Sequence, residues 1–148
     1  MISQITQAHK ELQQKVKEFA EKRVLPIATQ LDEGEIFSQE LTQEMGKLGL
    51  FGIVVPKEYG GLGLDYMALV LAVEELSKVD GSQAATLAAH NCLGVNPIYY
   101  YGTPEQRKAL LPQLCSGEKV WAFGLTETNA GSDALGAETT AQLVNGQW

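Results

Sequence analysis

The 148-residue chain is 45% hydrophobic and 20% charged, with a net charge of -7 at pH 7 and a pI near 4.8. This composition is ordinary for a globular protein of one domain, or of one domain and part of another. The acidic balance argues against nucleic acid or an anionic membrane surface as a partner. Two cysteines without paired spacing argue against a metal site, and no membrane-length apolar run is present, so we expect a cytoplasmic protein without membrane insertion.

The first part of the chain predicts helices. Apolar residues recur at helical spacing over residues 5–31, which indicates a long amphipathic helix that Pro26 should kink. A second helix is expected over residues 39–48, with Ser38 as its N-cap. Residues 49–65 contain five glycines and a proline and therefore predict an ordered loop.

Three further helix signals follow in chain order. Asp65 is a typical N-cap for an apolar helix over residues 66–79. An alanine-rich helix is expected over residues 82–92, where small side chains either pack closely or leave room beside the helix. Thr103 opens a last helix, with proline at its first position, and this helix runs to Cys115.

The composition then changes from helix-forming to strand-forming residues. The stretches "VWAFGL" (residues 120–125) and "ETTAQLV" (residues 138–144) are rich in β-branched, aromatic or alternating residues. The dipeptide Asn145-Gly146 is a hairpin turn signal. The predicted fold class is therefore α+β, with helices first and strands after them.

The order of elements predicts two domains. Residues 1–117 are expected to form an all-α N-terminal domain, and residues 118–148 the first strands of a truncated middle β-domain. Two strands and the start of a third make a marginal sheet, so we expect the chain to be a fragment or one part of a split assembly.

The stretch "FGLTETNAGSDA" (residues 123–134) has the densest polar chemistry in the chain. Gly131 would let a ligand approach the backbone closely, and the Thr126 and Ser132 hydroxyls can donate or accept hydrogen bonds. Successive N–H groups around a glycine can bind an anion. From these residues alone, both a plain polar turn and a ligand cradle remain open.

This stretch resembles the signature of the acyl-CoA dehydrogenase family. Two longer stretches, "LGLFGIVVPKEYGGLGLDYMALVLAVEELSKVD" and "NCLGVNPIYYYGTPEQRKALLPQLCSGEKVWAFGLTE", resemble its helical N-terminal domain, most closely in short-chain (butyryl-CoA type) members. The resemblance implies an FAD-dependent oxidoreductase that dehydrogenates a short-chain acyl-CoA at its α,β-bond, with hydride passing to flavin N5. It also implies an electron-transferring flavoprotein as partner and a homo-oligomer for the full-length parent.

The resemblance also implies roles for particular residues. Phe123 would pack against the flavin ring, and Leu125 and Thr126 would form hydrogen bonds to the edge of that ring. Gly131 and Ser132 would meet the pyrophosphate of FAD. These five residues are the expected cofactor-binding set.

Two positions of the motif need separate interpretation. Thr128 stands where the family usually has proline, so the loop loses a pre-set φ and some rigidity. Glu127 corresponds to a structural residue of the family, and the family's catalytic glutamate belongs to its C-terminal domain. We therefore expect no catalytic residue in this chain, no dehydrogenase activity from the chain alone, and at most weak FAD binding.

The alanine-rich helix corresponds to the wall of the family's acyl pocket. Ala85, Thr86, Ala88 and Ala89 would face or border the acyl chain, and Ser132 is also expected to contact the substrate. Close helix packing is an equally open explanation for these small residues.

The two histidines are expected to have no chemical role. His90 is interpreted as a core or boundary residue because no second histidine or cysteine stands at ligand spacing. His9 is expected on a solvated helix face without a partner.

Two alternative functions remain open. A flavin-dependent oxidase or monooxygenase could use the same framework, and a non-catalytic helical module could act through a partner. The sequence leaves acyl length, electron acceptor and oligomeric state undecided.

Overall fold

The computed structural model describes residues 4–148, and its regular secondary structure over these residues is helical, without a β-strand. The α-helices are α1 (Gln7–Phe19), α2 (Ala28–Glu33), α3 (Gln39–Lys47), α4 (Tyr66–Ser77), α5 (Gly81–Ala89), α6 (Asn96–Tyr101) and α7 (Pro104–Cys115). The predicted all-α N-terminal region is confirmed. The predicted first strands of a β-domain do not form in the described part of the chain.

The first helix is divided at the place where Pro26 was predicted to kink or divide it. After α1 the chain passes through a π-helical turn at Ala20–Val24 and a 3₁₀ turn at Leu25–Ile27, which contains Pro26, before α2 begins. Proline has no N–H to donate to the preceding turn, so the helix loses one backbone hydrogen bond there.

The side chains that were predicted to cap helices do so. Asp65 accepts a hydrogen bond from Ala68 N at 3.1 Å and begins α4, and Ser38 caps α3 in the same way. Thr103 and Gln106 form a reciprocal capping box at the start of α7, with distances of 3.2 and 2.8 Å. These bonds satisfy N–H groups that have no partner within the helix.

The core consists of two buried clusters. In the larger cluster α1 packs against α4, and α4 also packs against α5. Its largest fully buried side chains are Val16, Val24, Leu41, Met45, Leu50, Phe51, Ile53, Leu76 and Leu87. The smaller cluster joins α7 to a second π-helical segment, His90–Val95, and contains Val55, Val95, Leu111, Leu114 and Cys115.

The expectation for His9 was wrong. His9 is only 3% exposed, and its Nε2 lies 2.7 Å from the Asp65 carboxylate. The ring therefore ties the start of α1 to the N-cap of α4. The contact joins residues 56 positions apart, which helical periodicity in either segment cannot reveal.

Residues 118–148 extend from the helical domain with little burial; Ala130, at 2% exposed, is the buried hydrophobic residue in this segment. The predicted turn at Asn145 and Gly146 is present, with φ values of 52° and 79° and two hydrogen bonds between Val144 and Gln147. The two stretches expected to be strands form no strand in the described residues. A strand requires a neighbouring strand for its backbone hydrogen bonds, and none lies beside them in the described residues.

Candidate functional site

The candidate site is the loop that follows α7, and its expected ligand-facing side chains are open to solvent. Phe123 is 51% exposed and Leu125 is 50% exposed, although both are large and apolar. Thr126, Gly131 and Ser132 are also exposed. The loop therefore presents an apolar stretch followed by hydroxyl and backbone donors, the sequence of groups that a planar ring with a charged tail would require.

A tight turn divides the apolar stretch from the donors. Glu127 and Ala130 exchange two backbone hydrogen bonds, at 3.0 and 3.3 Å, with Thr128 and Asn129 between them. Thr128 thus occupies the second position of a four-residue turn, where proline is favoured because of its fixed φ. The turn closes without that proline.

Glu127 braces the loop. Its carboxylate accepts hydrogen bonds from Glu138 N at 2.7 Å and Thr139 N at 3.1 Å. The Thr139 side chain, followed by the backbone N–H groups of Glu138 and Thr139, lowers the pKa of Glu127 and favours its ionised form. Both carboxylate oxygens are engaged with the protein backbone, which matches a structural residue better than a proton acceptor for a substrate.

The groups expected to hold a ligand have unused hydrogen-bonding capacity. Among the described residues, Thr126, Gly131 and Ser132 make no hydrogen bond within the protein. A Cβ placed on Gly131 would have no neighbouring atom within 4 Å, so the space above its backbone is open. The hydroxyl and N–H donors, which follow a half-exposed phenylalanine along the chain, are chemically suited to a flavin dinucleotide.

The alanine-rich helix α5 has an open side. Ala85 and Ala89 are exposed and lie one turn apart, while Thr86 and Ala88 are partly buried. The Thr86 hydroxyl donates to Ser82 O at 3.1 Å and so returns to its own helix. Close packing therefore accounts for only part of this small-residue surface, because two of its alanines have no covering neighbour in the described chain.

The two expected sets of residues do not bond to each other directly, but an unexpected residue lies between them. His90 follows α5 immediately, is 1% exposed, and accepts a hydrogen bond from Trp121 N at 3.4 Å. Trp121 precedes Phe123 by two positions. Sequence reasoning placed His90 in the core but had no signal for this contact, which joins residues 31 apart.

The buried thiol of Cys115 is not a second reactive centre. Burial raises the pKa of the Cys115 thiol to about 11, so it stays protonated and unreactive at neutral pH. The described residues contain no group of three or more histidine, cysteine or acidic side chains suited to hold a metal ion. Within residues 4–148, no helix has the length and apolar character needed to cross a membrane.

Comparison with known proteins identifies the family. The sequence model "Acyl-CoA dehydrogenase, N-terminal domain" matches residues 6–118, which is most of the chain. The chain therefore belongs to the acyl-CoA dehydrogenase family, and the resemblance noted in its sequence is confirmed.

Individual relatives agree with this assignment. The short-chain specific acyl-CoA dehydrogenase of Clostridium acetobutylicum is 45% identical over 142 residues, which are 96% of this chain and 37% of that protein. A Bacillus anthracis acyl-CoA dehydrogenase, solved in complex with FAD, superposes with a TM-score of 0.87 at 43% identity over 95% of this chain and 24% of its own. A chain of the structure described as the electron transferring flavoprotein of Acidaminococcus fermentans gives a TM-score of 0.90 at 43% identity, over 95% of this chain and 37% of its own.

These matches cover only part of the length of each relative. The chain spans about 37% of the length of its Clostridium relative. The matched part includes the helical domain and the motif loop, residues 123–132.

Proposed function

We propose that this chain is the N-terminal part of a flavin-dependent acyl-CoA dehydrogenase acting on short-chain acyl-CoA substrates. The observation that carries the proposal is the motif loop at residues 123–132. It has free hydroxyl and backbone donors and an open glycine directly after a half-exposed apolar stretch. The similarity to a short-chain specific acyl-CoA dehydrogenase supports the substrate class.

In this proposal the loop binds FAD. Phe123 covers part of the flavin ring, and the Leu125 backbone and Thr126 hydroxyl donate to atoms at the ring edge. Gly131 and Ser132 receive the pyrophosphate, because their N–H groups are unbonded and no side chain blocks them. FAD supplies the hydride acceptor for α,β-dehydrogenation. The FAD in the related Bacillus anthracis structure supports this choice of cofactor.

The protein's own contribution is to bind and orient. Hydrogen bonds that are in place before the reaction stabilise charge as it develops, without a cost of reorganisation during the reaction. Glu127 keeps the loop in register through the amides of Glu138 and Thr139. We assign no proton transfer to any residue of the chain.

We further propose that α5 borders the acyl chain. Ala85 and Ala89 present an open apolar surface, with Thr86 and Ala88 at its edge. Small side chains leave volume for an acyl group that larger residues would fill. Ser132 would contact the substrate as well as the cofactor.

The remaining expectations form part of the same proposal. Residues 1–117 act as the helical domain, and residues 118–148 open a β-domain. An electron-transferring flavoprotein reoxidises the flavin, the protein assembles as a homo-oligomer, and it works in the cytoplasm. The match to a chain in an electron transferring flavoprotein structure supports the choice of acceptor.

The proposal is tested on the full-length protein, purified as its host makes it. We expect bound flavin, bleaching of its absorbance by butyryl-CoA without oxygen, and reoxidation by electron-transferring flavoprotein. Rapid reoxidation by oxygen alone would instead indicate an oxidase or monooxygenase. A protein that takes up no flavin even with added FAD would contradict the proposal and favour a non-catalytic module.

A further inference from the structure

The π-helical segment between α5 and α6, His90–Val95, carries the backbone of Trp121 on one side. The His90 ring accounts for the first contact. Its Nε2 lies 3.0 Å from Leu114 O, and because a carbonyl only accepts, Nε2 must carry the proton. Nδ1 of the neutral ring is therefore an acceptor, and Trp121 N donates to it at 3.4 Å.

Gly94 accounts for the second contact. A Cβ at this position would lie 3.2 Å from Trp121 Cβ, 3.3 Å from Trp121 O and 3.4 Å from His90 Nδ1. The lack of a side chain at Gly94 thus lets the Trp121 main chain approach the helix closely. His90 and Gly94 are four positions apart, so both meet Trp121 on the same side of the segment.

The His90 ring is itself fixed in place. Its centroid is 4.5 Å from that of the fully buried Phe51 ring. The neighbouring Asn91 amide donates to Leu50 O at 2.9 Å and Leu87 O at 3.0 Å, which anchors the segment to the core. Burial also lowers the pKa of His90, which favours the neutral ring that the two hydrogen bonds require.

Trp121 is the point at which the motif loop is attached. Over residues 120–126, the described chain forms one hydrogen bond, from Trp121 N to His90. Residues 118–126 are otherwise exposed. Phe123 is two residues further along, within about 7 Å of chain. The position of Trp121 therefore restricts where the apolar stretch of the loop can lie.

We propose that His90 and Gly94 form a backbone seat for Trp121 that positions Phe123 and Leu125 for the flavin ring. The inference rests on the proposed function, because it assigns the loop to FAD. His90 is a positioning residue here and exchanges no proton with substrate or cofactor. π-Helical turns inside α-helices are frequent at functional sites, and this one supplies both halves of the seat.

Two matched substitutions separate the roles of the two nitrogens of the His90 ring. His90→Asn keeps a side-chain acceptor near the place of Nδ1, whereas His90→Gln keeps a donor near the place of Nε2. Both lose the ring contact with Phe51, so they have a similar structural cost. Only His90→Gln removes the acceptor that Trp121 uses.

The first measurement does not involve flavin. Amide hydrogen exchange of Trp121, followed by NMR in the wild type and both variants, reports the seat directly. A hydrogen bond with a net worth of about 0.5–1.5 kcal/mol corresponds to about 2- to 12-fold faster exchange when it is lost. We expect this acceleration in His90→Gln and a rate near wild type in His90→Asn. Equal exchange rates of the Trp121 amide in the two variants would overturn the proposal that His90 holds Trp121.

The second measurement is the FAD affinity of the same variants, made in the full-length protein, by flavin fluorescence. We expect His90→Gln to bind FAD about 2- to 12-fold more weakly than His90→Asn, and Gly94→Ala to weaken binding as well. If the wild type binds FAD normally and both His90 variants bind it equally well, the positioning role is overturned and the proposed function is not. Absence of FAD binding by every form would overturn the proposed function, and the positioning role with it.

Discussion

Substitution of Gly131 by alanine separates binding of a cofactor from stability of the fold. A Cβ at Gly131 would meet no atom within 4 Å, and Gly131 is not among the residues with positive φ. Alanine therefore fits without strain and restricts only the unfolded chain. We expect stability to be unchanged or to rise by about 0.4–1 kcal/mol.

FAD binding should respond in the opposite direction. The added methyl group would stand over the backbone where the pyrophosphate is expected to approach. Loss of one charge-assisted hydrogen bond is worth about 1.5–3 kcal/mol, which corresponds to about 10- to 150-fold weaker binding.

The assay compares FAD titration and thermal unfolding of the full-length protein as wild type, Gly131→Ala and Gly81→Ala. Gly81 is the matched control, because a Cβ there also has no neighbour within 4 Å and the residue begins α5, outside the motif loop. We expect the control to keep wild-type FAD affinity. Undiminished binding by Gly131→Ala would refute the assignment of this loop to the pyrophosphate.

Three further predictions concern stability, each measured by urea or thermal denaturation. Thr128→Pro should stabilise the chain by about 0.4–1 kcal/mol, because Thr128 N makes no hydrogen bond in the described residues; a loss of stability would contradict this. Gly46→Ala should destabilise by about 1–3 kcal/mol, because its Cβ would lie 2.1 Å from Ser116 O, while Gly81→Ala should not; equal effects would refute the packing argument. Stability from neutral His90, whose pKa is lowered by burial, should be complete above about pH 6.5 and be lost as the pH falls towards its folded-state pKa. The same pH dependence in His90→Gln would contradict that origin.

Features encoded by neighbouring residues were predictable from the sequence. The caps at Ser38, Asp65 and Thr103 each use a side chain within three residues of the N–H that it satisfies. The interruption of the first helix at Pro26 follows from a missing donor in the same turn. Such features need no knowledge of the rest of the chain, so a single sequence reveals them.

Features that depend on distant residues were not predictable. The pairing of His9 with Asp65 and the contact of His90 with Trp121 each join separate segments. The π-helical turn at His90–Val95 was also missed, because the apolar spacing around it fits an ordinary helix. The stretches at 120–125 and 138–144 have strand propensity, but propensity forms no ladder without a neighbouring strand.

The candidate site was predictable from its local motif together with the order of the segments around it. Composition alone left both a turn and a ligand cradle open for residues 126–133 and favoured the turn. The structure shows that a turn at Glu127 and Ala130 lies inside the loop, while the donors at Gly131 and Ser132 stay free beyond it. A turn and a ligand cradle are therefore compatible in this loop, and the cradle stays a prediction.

Amide hydrogen exchange with and without FAD tests the central proposal most directly, because it locates the bound cofactor on the chain. We expect FAD to slow exchange in residues 123–132 and to leave the first helix, α1, unchanged. FAD binding that protects other segments while residues 123–132 exchange at their original rate would contradict the assignment of this loop as the flavin cradle.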